Sequence, residues 1–378
     1  MGRKAICLSG QPLDISFHPE RPDLVAFALI NGSVGLCRLP DDPLALASPL
    51  QLRPHRSSCR CIAFDPAHPA RLYSGARDGS LAVSLFPSFS PTSTLSSGSE
   101  LSGNPSAHDS GINAIAAISP HILSTGDDDG VVKLWDNRRG LAKCIAEWSD
   151  ATDYISDFAF HSPARALLAT SGDGTMSIYD VRKPGKPLGL SENQDDELLS
   201  VSIVHTTRSR PKVAVGSQSG VVHLFSWGQW LDSTDRFPGH PESVQSLAPL
   251  DAAAGHLVSA SSDGIVRHIS ILPNAFIGVV GMREEGMPCE KVAVNAGGRL
   301  VASISHDSFL SFWDAPQMQQ TQQERVEEEG EQRGVQDAEE RELETGDEPV
   351  ARRKRRKLKN RLVGAEKLRN LDFFKDFD

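Results

Sequence analysis

Along residues 4–315 the chain alternates short apolar runs with breaks rich in Gly, Pro, Asn and Asp, and no run sustains a helical period. Runs such as "LVAFAL", "VVKLW" and "MSIYD" are short and rich in β-branched or aromatic residues, which is strand chemistry. One pattern recurs. An apolar strand is followed by a turn, then a strand such as "LLATS", a tight Gly turn, and a strand with an aromatic near its end. The copies run from "DISFHPERPDLVAFALINGSVGLCRL" to "KVAVNAGGRLVASISHDSFLSFWD", seven in all.

The turns act as a ruler. Gly32, Gly79, Gly130, Gly174, Gly220, Gly264 and Ser308 are separated by 47, 51, 44, 46, 44 and 44 residues. A period near ~45 with several short strands per unit is the signature of radially repeated four-stranded blades. One such blade cannot bury both its faces, whereas seven stacked around an axis can. The Asn-Gly and Asp-Gly pairs predict type I′ hairpins, in which both central residues take positive φ. The last copy supplies only three strands, and "KAICLS" (4–9) ahead of the first copy is the expected fourth, closing the ring and covering its edge.

The seven copies resemble the WD-repeat family over residues 4–315, most closely in "GDDDGVVKLWD", Gly126–Asp136. "AHDSGI" and "GHPESV" resemble the family's Gly-His element. The resemblance implies an all-β, seven-bladed WD-repeat β-propeller. It also implies a hydrogen-bonded tetrad of His108, Thr125 (or Ser124), Asp129 and Trp135. Other copies are degenerate: Tyr179 replaces Trp in the fourth, and Phe86, Phe225 and Ile269 stand near that position in the second, fifth and sixth.

The three aspartates of "GDDDG" do not have calcium-loop spacing, because adjacent side chains diverge and no closing Glu follows. Asp129 is assigned to the turn, and Asp127 and Asp128 to a solvated face. The chain has no G-x-S-x-G elbow, P-loop or H-E-x-x-H. No catalytic residue, cofactor, metal or small-molecule substrate is therefore expected. Six cysteines are spread without CxxC pairs and read as reduced, mostly buried thiols. Cys59 and Cys61, two apart on a strand, are expected on one face.

"WDNR" (135–138) and "YDVR" (179–182) resemble the W-D-x-R box of WD-repeat substrate receptors for cullin–RING ubiquitin ligases. That resemblance makes Asp136, Arg138, Asp180 and Arg182 candidate contacts for a ligase adaptor. The plainer reading is that Asp and Arg simply pair at the strand end.

Charge separates the tail from the body. The chain of 378 residues has a formal net charge of −10. Residues 316–351 hold 12 Asp and Glu against three Lys and Arg, are rich in Gln and Glu, and read as disordered with transient helix. Residues 352–361, "RRKRRKLKNR", hold eight basic side chains and no acidic one. These are Arg352, Arg353, Lys354, Arg355, Arg356, Lys357, Lys359 and Arg361, the pattern of a nuclear or nucleolar address or a nucleic-acid contact. Residues 362–378 end in "LDFFKDFD", where Leu371, Phe373, Phe374 and Phe377 form a docking peptide for a partner groove or for the chain's own propeller. No stretch approaches the ~20 apolar residues of a membrane helix, and the N-terminus lacks the apolar run of a signal peptide.

The polybasic run followed by "FFKDF" resembles the tail of the nucleolar WD-repeat family that includes the fungal Jumonji-interacting WD-repeat protein and the animal WD repeat-containing protein fifty-five. That resemblance implies a nucleolar, non-enzymatic scaffold in ribosomal RNA synthesis or processing. Its partners would be proteins of pre-ribosomal assemblies, with ribosomal RNA touched through the basic tail.

Overall fold

In a computed structural model of the chain, seven antiparallel sheets of four strands each follow one another around a ring. The structure describes residues 4–39, 49–86, 99–139, 141, 143–183, 185–205, 210–251, 255–283 and 286–315. The acidic segment, the polybasic run and the docking peptide lie outside the described residues. Blade one spans residues 12–52, and blade six ends at Met282. Blade seven is built from Cys289–Val294, Leu300–Ser305, Phe309–Asp314 and the N-terminal strand Lys4–Cys7. Lys4 pairs with Phe312 and Cys7 with Phe309, so the start of the chain completes the last sheet as expected.

The second strand of each blade is buried on both sides, because sheets stack face to face around the axis. Leu24–Leu29 and Ala166–Ser171 are buried at every position, which is why they read as continuous apolar runs rather than alternating ones. The core is divided between neighbouring blades. Val132, Leu134 and Trp148 of blade three pack with Ile155, Phe158 and Tyr179 of blade four, and Trp148 stacks on Tyr179 at 4.5 Å. Ile6 of the N-terminal strand and Leu8 just after it pack with Ile15 and Phe27 of blade one and Leu310 of blade seven.

All six turn glycines take positive φ, between 73° and 85°. The residues before them do not, so these are not type I′ turns. Gly32 N donates to Leu29 O at 3.0 Å and Leu29 N to Ser33 O at 2.8 Å, and Gly79 and Gly174 repeat the pattern. This is a type I turn closed by a left-handed glycine, the three-residue alternative for a hairpin. Crowding adds a second reason for glycine. A Cβ on Gly130 would stand 2.7 Å from Ala151 O and 2.8 Å from Asp153 O, in the loop that leads into the next blade. Ser308 breaks the series and is not among the positive-φ residues.

Each innermost strand carries one β-bulge near its start, at the same register in all seven blades. Cys59 pairs with Ala76 and Cys61 with Gly75, leaving Arg60 unpaired between them. Leu13, Asn113, Ser156, Leu199, Gln245 and Glu290 are skipped in the same way. The extra residue reverses the side-chain alternation. Cys59 therefore packs between blades one and two, and Cys61 between blades two and three, contrary to the single face expected from their spacing.

Candidate functional site

Three groups of side chains are candidates: the tetrad of blade three, the mouth of the central channel and the paired Asp–Arg boxes. In the tetrad, Trp135 Nε1 donates to Thr125 Oγ1 at 2.8 Å, and Thr125 Oγ1 lies 2.6 Å from His108 Nε2. His108 Nδ1 meets Asp127 Oδ2 at 2.7 Å. The acid is Asp127 rather than Asp129. Asp127 holds the last ladder position opposite Ile112, so its side chain reaches back to His108. Its other oxygen accepts from Asp129 N at 3.1 Å and Val131 N at 2.8 Å, capping the turn. Burial works against its charge, yet the hydrogen bonds from His108 and Val131 hold the carboxyl below the usual carboxylate range. The ionised carboxylate can only accept, so each hydroxyl or N–H donates in one direction from Trp135 to Asp127. Ser124, the other candidate, turns away and donates to Ala116 O.

Fragments of this chain recur. His55 Nε2 lies 2.8 Å from Ser74 Oγ, and His240 Nε2 2.8 Å from Ser259 Oγ. Trp313 Nε1 donates to Ser303 Oγ at 3.0 Å. In blade two the Trp position is Ser84 and not Phe86, since Ser84 pairs with Leu72 as Trp135 pairs with Leu123. Blade seven holds a residue that sequence reading missed. Arg283 N donates to Gly264 O just as His108 N donates to Gly79 O. Its buried guanidinium donates to Ser311, to Asp307 at 3.3 Å and to Phe309 O. An Arg thus replaces the family His, and no short motif marks it.

The bulged residues ring the mouth of the channel and line a cavity of about 430 Å³. Arg60 donates from Nη1 to both Asp128 oxygens, at 2.9 and 3.0 Å, and Asn113 Nδ2 donates to Asp128 Oδ1 at 2.7 Å. Asp128 is therefore tied across two blades and is not simply solvated. Below the bulges, Asp14 accepts from Ile15 N and Ile62 N, and Asp157 accepts from Val201 N. Lys291 reaches across the channel from blade seven to Asp157 of blade four at 3.7 Å. Asp157 raises the Lys291 ammonium against the opposing effect of burial. These contacts brace blades against each other, and no cluster of metal-ligating side chains occurs among the described residues.

Asp136 and Asp180 close their strands at the end remote from the turn glycines, pairing with Ile122 and Ala166. The two boxes are superposable in chemistry. Arg138 donates from its backbone and Nε to Asp136 Oδ1, both at 3.0 Å, and from Nη2 to Oδ2 at 2.7 Å. Arg182 makes the same three bonds to Asp180 at 3.0, 2.9 and 2.8 Å. Each Arg side chain remains 61% exposed while its carboxylate is nearly buried, so the guanidinium is held rigid but presented outward. The side chain of Tyr179 stands where Trp135 does in the neighbouring blade and is equally buried. The polybasic residues 352–361 and the docking residues Leu371, Phe373, Phe374 and Phe377 lie outside the described residues.

Seven four-stranded blades, closure by the N-terminal strand and the Trp–Thr–His–Asp chain define a WD-repeat β-propeller. The chain belongs to the WDR55 family, whose profile matches residues 3–318. It is 35% identical over 306 residues to WD repeat-containing protein JIP5 of Cryptococcus neoformans var. neoformans, covering 80% of this chain and 79% of that relative. It is 34% identical over 311 residues to WD repeat-containing protein 55 of Arabidopsis thaliana, with 82% of each covered. The human protein of the same name is 30% identical over 313 residues, covering 83% of this chain and 76% of its own.

Proposed function

We propose that this protein is a non-enzymatic scaffold of nucleolar ribosome assembly, serving ribosomal RNA synthesis or processing. The propeller supplies a rigid platform, and the tail supplies the address. The observation that carries this reading is the charge diblock appended to the WDR55-family propeller: 12 acidic residues in 316–351, then eight basic residues in 352–361. Eight like charges in ten residues repel one another, and a polyanion relieves that repulsion. The terminal Leu371, Phe373, Phe374 and Phe377 would dock on a protein of the same assembly. The experiment has two arms. Replacing the basic residues of 352–361 with Gln should disperse the tagged protein from the nucleolus. Affinity purification with and without nuclease should recover pre-ribosomal proteins, in part through RNA. A nucleolar signal and partner set unchanged by the replacement would overturn the reading.

A second reading, a substrate receptor of a cullin–RING ligase, is favoured by the duplicated Asp136–Arg138 and Asp180–Arg182 clasps on consecutive blades. It requires that Arg138→Ala with Arg182→Ala abolish co-purification with the ligase adaptor.

A further inference from the structure

The two ends of the propeller differ in charge. At the end that carries the turn glycines, blades three to five present Asp150, Asp153, Asp173 and the run "ENQDDE" of residues 192–197. That end repels a polyanion. At the opposite end the same blades present exposed Arg138, Lys143, Arg165, Arg182, Lys183 and Lys186. The carboxylates there among the described residues are Asp136 and Asp180, each already bonded to its arginine, and in blade five the exposed Asp232 and Asp235, the latter starting the outer strand and accepting from Asn274. Backbone bonds gather part of this group: Val181 N donates to Arg165 O, and Lys183 N to Asp180 O.

Aromatic rings lie at the same end of blades four and five. His161 ends the inner strand of blade four, Ile155–His161, and His205 follows the inner strand of blade five, Leu198–Val204. Their rings stack at 5.4 Å, and Trp227 lies 4.1 Å from His161 and in edge contact with Trp230 at 5.0 Å. His205 is exposed and Trp227 half-buried, so the stack has an open edge. Burial, with His205 adding to it, lowers the His161 value, keeping that ring uncharged in the stack at neutral pH. Neither clasp uses Arg Nη1, which leaves that nitrogen for an incoming oxygen.

From this juxtaposition we infer that the end of blades three to five carrying Arg138, Arg182 and the His161–His205–Trp227 stack binds single-stranded RNA. Pre-set guanidiniums contact phosphates in a fixed fork geometry, and an aromatic stack with an open edge takes a base without regard to sequence. The inference rests on the ribosome-assembly reading for the identity of the polymer, but the binding is a property of the propeller and not of the tail.

The test uses the full chain with the basic residues of 352–361 replaced by Gln, so that the tail does not dominate. A fluorescent single-stranded oligouridylate is titrated by anisotropy at several salt concentrations. Arg138→Ala with Arg182→Ala should weaken binding about tenfold or more and lower the salt slope by about 1.4, roughly 0.7 for each phosphate of a single strand no longer neutralised. His205→Ala should weaken binding about fivefold or more with the slope unchanged, as loss of one stacking ring does. Lys183→Gln, on an exposed side chain, guards against misfolding of the others and should lower the slope by about 0.7. Unaltered affinity in the folded variants, or no binding by the tail-replaced parent, overturns the inference. So does equal binding of poly-glutamate, which would mark the surface as a dock for an acidic protein. None of these outcomes affects nucleolar targeting by the tail, so the two readings fail separately.

Discussion

His108 Nδ1 lies 2.7 Å from Asp127 Oδ2, and the backbone N–H of the same histidine bonds Gly79 of the preceding blade. One residue thereby ties blade two to the end of the second strand of blade three. The side chain of Asp127 is almost wholly buried, so removing it strands a histidine N–H and two turn N–H groups together. Asp127→Ala should cost about 2–3 kcal/mol of unfolding free energy. Asp129→Ala should stay within about 0.5 kcal/mol, because that side chain is partly exposed and lies outside the tetrad. Urea denaturation of the two variants decides between the two aspartates directly, and equal losses would remove Asp127 from its role.

Gly130 is constrained twice, by φ of 78° and by the carbonyls of Ala151 and Asp153 where its Cβ would stand. Gly130→Ala should destabilise the protein by more than about 1 kcal/mol, since strain and steric conflict add. Ser308→Gly, at the equivalent turn of blade seven, should bring no compensating gain, because Ser308 is not held at positive φ. Thermal melts of the two variants are the measurement.

The turn glycines were legible because φ and close approach act on single residues at a fixed spacing. The Trp, Thr and His of the tetrad were legible only through the resemblance to the WD-repeat family, which places a hydrogen-bonded chain at His108, Thr125 and Trp135. Asp127 was misassigned to Asp129 because three adjacent carboxylates do not reveal which one holds the last ladder pair. The bulges escaped notice because a bulge is a mismatch between two strands, visible only once Arg60 is seen to lack a partner between Ala76 and Gly75. Arg60 and Asp128 are 68 residues apart, and Lys291 meets Asp157 across the whole ring, so neither pair had a local signal. Arg283 could be found only by register, since it shares with His108 a backbone bond and not a side-chain type.

Ring closure is a second place where local sequence predicts a global effect. Ile6 and Leu8 are buried between blades seven and one, whereas Ile30 in the first turn is about half exposed. Ile6→Ala should cost about 2–5 kcal/mol, as large-to-small changes at packed sites do. Ile30→Ala should cost little. Because Ile6 sits on the strand that seals the ring, its loss should also expose blade seven to proteolysis before the other blades. Limited proteolysis that instead cuts every blade at the same rate would show that the N-terminal strand does not act as the latch.

Asp14 makes stability depend on pH in an unusual direction. Burial pushes its carboxyl up to about 6, while Lys291 and the backbone bonds from Ile62 and Ile15 pull it back. Asp157 adds a weaker upward push, and Arg60 and the uncharged Cys61 thiol line the same channel mouth. The folded value stands above the unfolded value of 3.8, so between about 4 and about 6 the folded protein holds a proton that the unfolded chain has lost. The stabilisation linked to that proton is fully present below the unfolded value and is lost as pH rises through about 6, with an upper bound of about 3 kcal/mol. Asp14→Asn should offset stability at every pH and flatten the fall between pH 4 and 6. Lys291→Met removes the opposing cation, so the loss should extend to higher pH. Urea midpoints measured across this range test both; an unchanged slope in Asp14→Asn would show that another group carries it.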